Sequence, residues 1–217
     1  LHIQMFATRG WQAPKYGHLA PIQKLDNGNK RKLSKRKDPE ASMTYYDENG
    51  YTKESILEYL TNLANSDFED WRKANLEAPI TDFKISFERL GNSSWALFDF
   101  VKLDNISKEI ISRMSSEEIY EKSLVWAEKF DKDSASLMKN NKDKFIQIFS
   151  IERNELKGRK DIGKWSDVKA ETEYFFDEWY SFDKSSLKET YPNLSESDIS
   201  NILAGFKETY NSDDTKE

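Results

Sequence analysis

Apolar residues recur along much of this chain at the 3-4 spacing of amphipathic helices. Ile3 and Phe6 mark one face of a first helix, Leu1 to Arg9, with Gly10 as its stop. Lys15 to Ile22 reads as a short extended segment. Pro39 to Tyr46 reads as a helix start, and Asp47 to Tyr51 as a turn. Thr52 then offers an N-cap to a helix carrying Ile56, Leu57, Tyr59, Leu60 and Leu63. Asp67 to Asn75 is a further short helix with Phe68 and Trp71, and Ile106 to Met114 another with Ile110 and Ile111.

The same periodicity continues. Ser115 and Glu118 form a capping-box pattern ahead of Ile119, Val125, Trp126 and Phe130. Asp131 to Ser134 breaks that helix, and Lys144 to Ile151 provides the next apolar face. Ser166 is placed to cap a helix holding Val168, Phe175, Phe176 and Trp179. Ser195 is placed to cap one holding Ile199, Ile202, Leu203, Phe206 and Tyr210. The tail from Asn211 to Glu217 is polar, and a frayed end is expected there. The pattern predicts a mainly α protein, with its second half a set of antiparallel helices.

Composition narrows the chemistry. With 217 residues the chain is long enough for one or two domains with a core. It has no cysteine, which excludes disulfides, thiolate metal sites and a thiol nucleophile. Two histidines, His2 and His18, make a His-rich zinc site a poor expectation, so no protein-bound metal is expected. No apolar run approaches the roughly 20 residues of a membrane span. The net charge is -6, which argues against a generic nucleic-acid binder. Positive charge is nevertheless concentrated: Lys24, Lys30, Arg31, Lys32, Lys35, Arg36 and Lys37 fall within one short stretch beside a single acid, Asp26.

That stretch follows a polar turn, Asp26-Asn27-Gly28-Asn29, whose Asn-Gly pair suits positive φ. It is read as a basic loop closed by Pro39. Lysines are flexible point charges for phosphate, Arg offers a planar fork and Ser34 a hydroxyl donor, so the loop suits a polyanion. A solvated basic loop is the plain alternative.

The order Lys32-Leu33-Ser34-Lys35-Arg36 resembles the second signature loop of class I aminoacyl-tRNA synthetases, usually K-M-S-K-S, in the K-L-S-K-R form of the glutamyl and glutaminyl branch. The flanks are similar to the family as well: Gln4, Gly10, Trp11, Pro14 and His18-Leu19 before the loop, Glu58 to Leu63 after it, and Gly91 to Asp99, resembling a Ser-x-Ser-x-Ala-x-Phe-Asp stretch, followed by Lys102-Leu103. His18 is read as a structural histidine at a strand end. The Lys between the serines and the later Trp-x-Asn of the family are replaced here.

The resemblance implies a fold with two parts. Residues 1–112 would be the C-terminal end of a catalytic domain, with the K-L-S-K-R loop, short strands and stem-contact helices. Residues 113–217 would be an incomplete all-α anticodon-binding domain, and Tyr174-Phe175-Phe176 is part of its diffuse signature. It implies an ATP-dependent ligase that activates glutamate and transfers it to the 3′ end of tRNA for glutamate, cytoplasmic and monomeric, using ATP as its magnesium complex. Lys32, Ser34, Lys35 and Arg36 would bind ATP. Lys102, Arg153, Lys157, Arg159 and Lys160 would bind tRNA. The family's first signature, H-I-G-H, does not occur in these residues. The chain is therefore expected to be a fragment cut on its N-terminal side, with no complete catalytic set and no activity alone. A glutaminyl member of the branch and a non-catalytic RNA-binding helical module remain the alternatives.

Overall fold

The computed structural model describes residues 1–16, 19–86, 96–153, 158–181 and 190–210. His18, the serines of the Gly91–Trp95 stretch, Lys157 and the tail from Asn211 lie outside the described residues. The described chain is mainly helical, with one two-stranded antiparallel sheet, and it divides into two compact units, Leu1–Thr172 and Glu173–Glu217.

The first unit opens with α1 (His2–Thr8) and a hairpin of β1 (Gln23–Asp26) and β2 (Asn29–Lys32). Asn27 at φ 50° and Gly28 at φ 79° make the two-residue turn. Such a turn has a twist that matches the twist of the strands it joins. The basic stretch is thus not wholly a loop, because Lys30, Arg31 and Lys32 are strand residues paired with β1. No apolar alternation signals this strand, since charged residues occupy both of its faces. Of the expected extended segment, residues 15, 16 and 19–22 lie outside the strands, and regular pairing starts at Gln23.

A single 3-10 turn, Pro39–Ala41, leads into α2 (Met43–Asn49), which Ser42 caps through Thr44 N–H. The helix expected from Pro39 is therefore split, as Ser42 leaves helical geometry to serve as the cap. Thr52 caps α3 (Lys53–Ala64), its hydroxyl accepting from Ser55 N–H at 3.0 Å. After α4 (Asp67–Ala74) comes α5, which runs from Phe100 to Ser112 and so begins six residues earlier than periodicity indicated. Asp99 starts it by accepting from the backbone N–H groups of Val101 and Lys102.

α3 packs on α5 and α4. Tyr46, Ile56, Tyr59 and Leu103 form a buried cluster against which Phe98, Phe100 and Ile106 pack. Phe98 meets Tyr59 edge-on at 5.4 Å and Phe100 at 4.8 Å between ring centroids. The segment bearing Phe98 also runs beside β1: Gln23 N–H donates to Ala96 O and Phe98 N–H to Gln23 O. The hairpin is thereby fixed to the aromatic core through its first strand.

The Ser115–Glu118 capping box is present at the start of α6 (Ser116–Phe130). α6 packs on α7 (Lys132–Asn140) and α8 (Lys142–Ser150). Where a break was expected, Asp131 is both the last residue beyond α6 and the N-cap of α7. The buried side of α7 is Ser134, Ala135 and Met138, too small and too polar to register as an apolar stripe. Ile119, Phe145 and Phe149 are fully buried. Gly158 passes so close to the end of α5 that a Cβ would collide with Ser112 O.

A long helix capped by Ser166 does not form. Ser166 Oγ donates instead to Asn49 O at 2.8 Å, and Asp167 closes the segment by accepting from the N–H groups of Gly163 and Lys164. A 3-10 turn at Trp165–Asp167 and the short α9 (Val168–Thr172) follow. In the second unit, Glu173–Phe175 is again a 3-10 turn, consistent with the low helix propensity of its aromatic run. That unit also holds α10 (Glu196–Thr209), started by a Ser195–Asp198 capping box. Its Ile202, Leu203 and Phe206 are exposed.

Candidate functional site

The site is built on the hairpin. Register pairs Lys24 with Arg31, which places these two cations side by side on one face of the sheet. Lys30 and Lys32 belong to the other face. Leu33 N–H donates to Ile22 O, so pairing extends one residue past β2 before the chain turns.

Residues 34–38 then close on themselves. Asp38 N–H donates to Ser34 O at 2.8 Å, and Ser34 N–H donates to Asp38 Oδ2 at 2.8 Å. Lys37 N–H also reaches Ser34 O at 3.0 Å. Asp38 is only 2% exposed. Both Nη atoms of Arg31 lie 2.7 Å from its carboxylate oxygens, and Lys24 Nζ lies 3.2 Å from Oδ1. The Arg31 contact is a two-point fork, which fixes geometry as well as charge. Lys24 also pairs with the buried Glu40, and Arg31 Nε with Asp26. The Arg31 fork, the Ser34 N–H and Lys24 hold the Asp38 carboxyl well below the usual carboxylate range. The same contacts raise the Arg31 guanidinium, and Glu40 followed by Asp38 raises the Lys24 ammonium.

The basic stretch therefore splits into two sets. Lys24 and Arg31 are neutralised at the base of the loop. Lys32, Lys35, Arg36 and Lys37 are exposed, and among the described residues they make no ion pair. Lys32 and Lys35 also line a cavity of about 320 Å³ with Ile22, Leu33, Tyr46 and Phe98. A closed five-residue turn carrying uncompensated cations above a neutralised base can receive an anion of several charges. Of the residues expected to bind phosphate, Lys32 lies at the end of β2, Ser34 and Lys35 in the turn, and Arg36 at its tip.

The residues expected to meet tRNA fall elsewhere. Lys102, on α5, pairs with Glu69 at 3.1 Å, which Lys73 shares at 3.0 Å, and the two lysines hold Glu69 below its ordinary value. Arg153 is half-buried. Its guanidinium donates to the carbonyls of Ile111, Ser112 and Met114 at the C-terminal end of α5 and to Phe149 O. Cations suit that end of a helix. Burial lowers the Arg153 pKa. Arg159 Nε lies 2.6 Å from Asp161 Oδ2, without hydrogen-bond alignment, and Lys160 pairs with Glu109 on α5.

Among the described residues, no group of three or more His, Asp or Glu side chains is placed to hold a metal ion. Sequence reasoning missed Lys24, Arg31 and Asp38 as the frame of the loop. The available signal was Asp38 itself, the first acid after the basic run, directly behind the motif.

No model of a protein family matches the chain. It is similar to several curated proteins. Glutamate–tRNA ligase from Clostridium perfringens (strain 13 / Type A) is 39% identical over 211 residues, 97% of this chain and 38% of that protein. The glutamate–tRNA ligase of Acetivibrio thermocellus is 40% identical over 215 residues, 99% of this chain and 38% of that protein. The glutamate–tRNA ligase of Clostridium beijerinckii is 43% identical over 180 residues, 83% and 32% respectively. The chain thus spans well under half the length of these relatives. Among solved structures, the crystal structure of a glutamate tRNA ligase from Elizabethkingia meningosepticum in complex with its amino acid superposes with a TM-score of 0.56 at 19% identity. It covers 95% of this chain and 40% of that one, a likeness of fold.

Proposed function

Since this chain belongs to the glutamate–tRNA ligase family, we propose that it supplies the ATP-phosphate loop and part of the tRNA-binding surface of an enzyme that activates glutamate with ATP and transfers it to the 3′ end of tRNA for glutamate. The observation that carries this reading is the set of exposed cations Lys32, Lys35, Arg36 and Lys37, which make no ion pair among the described residues, beside a turn whose base cations Lys24 and Arg31 are already neutralised by carboxylates.

Forming an acyl-adenylate releases pyrophosphate, and negative charge builds on the leaving group in the transition state. Fixed cations stabilise that charge better than mobile ones, because no reorganisation is needed as the bond breaks. Lys35, the second residue of the turn, is the residue we assign to this task. Lys32, Ser34 and Arg36 hold the rest of the triphosphate, which enters as its magnesium complex. Glutamate is bound outside these residues, and the chain alone does not form the adenylate.

We place the division between the catalytic part and the anticodon-directed helices at residues 112 and 113. Lys102, half-buried, and Lys160, exposed, are the tRNA contacts we favour, each tied to one carboxylate. Arg153 is engaged with the carbonyls at the end of α5, and Arg159 with Asp161. The relatives named above are glutamate ligases, which favours the glutamyl reading over a glutaminyl one or a non-catalytic module. No helix among the described residues is long and apolar enough to cross a membrane. From the family resemblance alone we infer a cytoplasmic, monomeric enzyme.

The test is ATP–pyrophosphate exchange by the full-length ligase carrying Lys35→Ala. The expected loss is on the order of 100-fold or more in turnover, the usual effect of removing one such charge contact. Exchange at the wild-type rate would sink the assignment.

A further inference from the structure

We propose that Asp38 is a positioning residue for this reaction: its buried carboxylate sets the shape of the 34–38 turn, and so the place of Lys35, without touching ATP itself. The proposal rests on the phosphate-binding role of the turn given above.

Three features carry it. First, Asp38 is buried between two exposed neighbours, Lys37 and Pro39, at the mouth of a surface loop. A lone carboxylate in such a place is unfavourable unless it is fully paired. Second, its partners come from three separate segments. Lys24 lies on β1, Arg31 on β2, and the Ser34 N–H lies inside the signature turn. One side chain therefore fixes the turn to both strands at once. Third, the two hydrogen bonds between Ser34 and Asp38 run in opposite directions, one through the backbone and one through the carboxylate. Without the carboxylate the turn keeps only its backbone bonds from Lys37 and Asp38 N–H to Ser34 O, Ser34 N–H loses its anionic acceptor, and the Arg31 fork faces no anion.

These contacts all lie within residues 24–40, apart from the α3–α5 core. Loss of the carboxylate should therefore displace Lys35 more than it unfolds the protein. A displaced Lys35 still attracts ATP through the remaining cations but meets the leaving phosphates poorly. The effect belongs in kcat for exchange rather than in KM for ATP. Charge alone does not suffice, because the fork fixes an angle as well as a distance.

The experiment uses the full-length ligase with Asp38→Asn, Arg31→Lys and Lys35→Ala made separately. ATP–pyrophosphate exchange is followed against ATP concentration, and tryptic cleavage at Lys35, Arg36 and Lys37 is timed in the absence of ATP. Asp38→Asn is expected to lower exchange kcat by roughly 10-fold or more, with KM for ATP within about threefold of wild type. It is also expected to speed cleavage at the turn. Arg31→Lys should move both readings the same way, and it carries the test alone should Asp38→Asn fail to fold. Wild-type kcat and cleavage in Asp38→Asn, or in Arg31→Lys where only that variant folds, would overturn the role of Asp38 while a slow Lys35→Ala left the phosphate loop standing. Unchanged exchange in Lys35→Ala would overturn both.

Discussion

The backbone N–H of Trp165 donates to the carbonyl of Gly50 at 2.9 Å, and the contact leaves no room for a side chain at residue 50. A Cβ there would lie 2.8 Å from Trp165 N and 2.9 Å from Trp165 Cβ. Gly50 is also the left-handed cap of α2, at φ 83°. Its neighbours tighten the same junction. Ser166 Oγ donates to Asn49 O, Trp126 Nε1 to Asp47 O at 3.1 Å, and Lys129 pairs with Asp47. The helices after residue 115 therefore grip the C-terminal end of α2, the helix that follows the signature turn.

Gly50→Ala should consequently destabilise the chain by about 2–4 kcal/mol, from left-handed backbone strain and the clash with Trp165 together. Gly10→Ala separates the two causes. Gly10 also has positive φ, at 68°, but nothing lies within 4 Å of its Cβ position. The Gly10 substitution should cost only about 1 kcal/mol. Urea unfolding of the two variants checks this, and equal losses would mean that the Trp165 contact contributes nothing.

What could be read from the sequence was local. The caps at Thr52, Ser115 and Ser195 could be read because a cap is a bond between residues three apart. The K-L-S-K-R order could be read because it is contiguous. What could not be read depends on residues brought together from a distance. Lys30-Arg31-Lys32 carries no strand pattern, and it pairs only because the Asn27-Gly28 turn folds it onto Gln23–Asp26. Which cations of the stretch are free is decided by Asp38 folding back beneath them. Arg153 looks like a candidate for phosphate, yet its donors meet the carbonyl end of α5, where Ile111 lies 42 residues earlier in the chain.

Apolar periodicity marks α8 and α10 equally well, but burial distinguishes them. Phe145 on α8 is 0% exposed, whereas Phe206 on α10 is 62% exposed. Phe145→Ala leaves a cavity in a packed interior and should cost about 3–5 kcal/mol. Phe206→Ala should change stability by no more than about 0.5 kcal/mol. Denaturant midpoints for both variants give the comparison. A large loss from Phe206→Ala would mean that α10 is covered in solution.

The pH dependence of stability should carry the mark of Asp38. The Arg31 fork, the Ser34 N–H and Lys24 hold its carboxyl below the usual range. In the unfolded chain it titrates near about 3.9. Between those two values the unfolded chain binds a proton that the folded chain does not, so stability rises with pH across that window. The contribution is complete above about pH 5 and is lost as pH falls through the ordinary carboxylate range towards the folded value. The stability gap between wild type and Asp38→Asn should therefore be full at pH 7 and narrow below about pH 4. Glu58 has the opposite sign. Burial raises its carboxyl in spite of Arg72, whose Nη2 lies 2.7 Å from Oε1. The folded chain then binds the extra proton, and acidification should favour wild type over Glu58→Gln. Urea midpoints at pH 7, 5 and 3 for the three proteins decide the matter. An Asp38→Asn gap as wide at pH 3 as at pH 7 would mean that the carboxylate is not charge-paired at the base of the turn, and the frame assigned to Lys35 would lose its support.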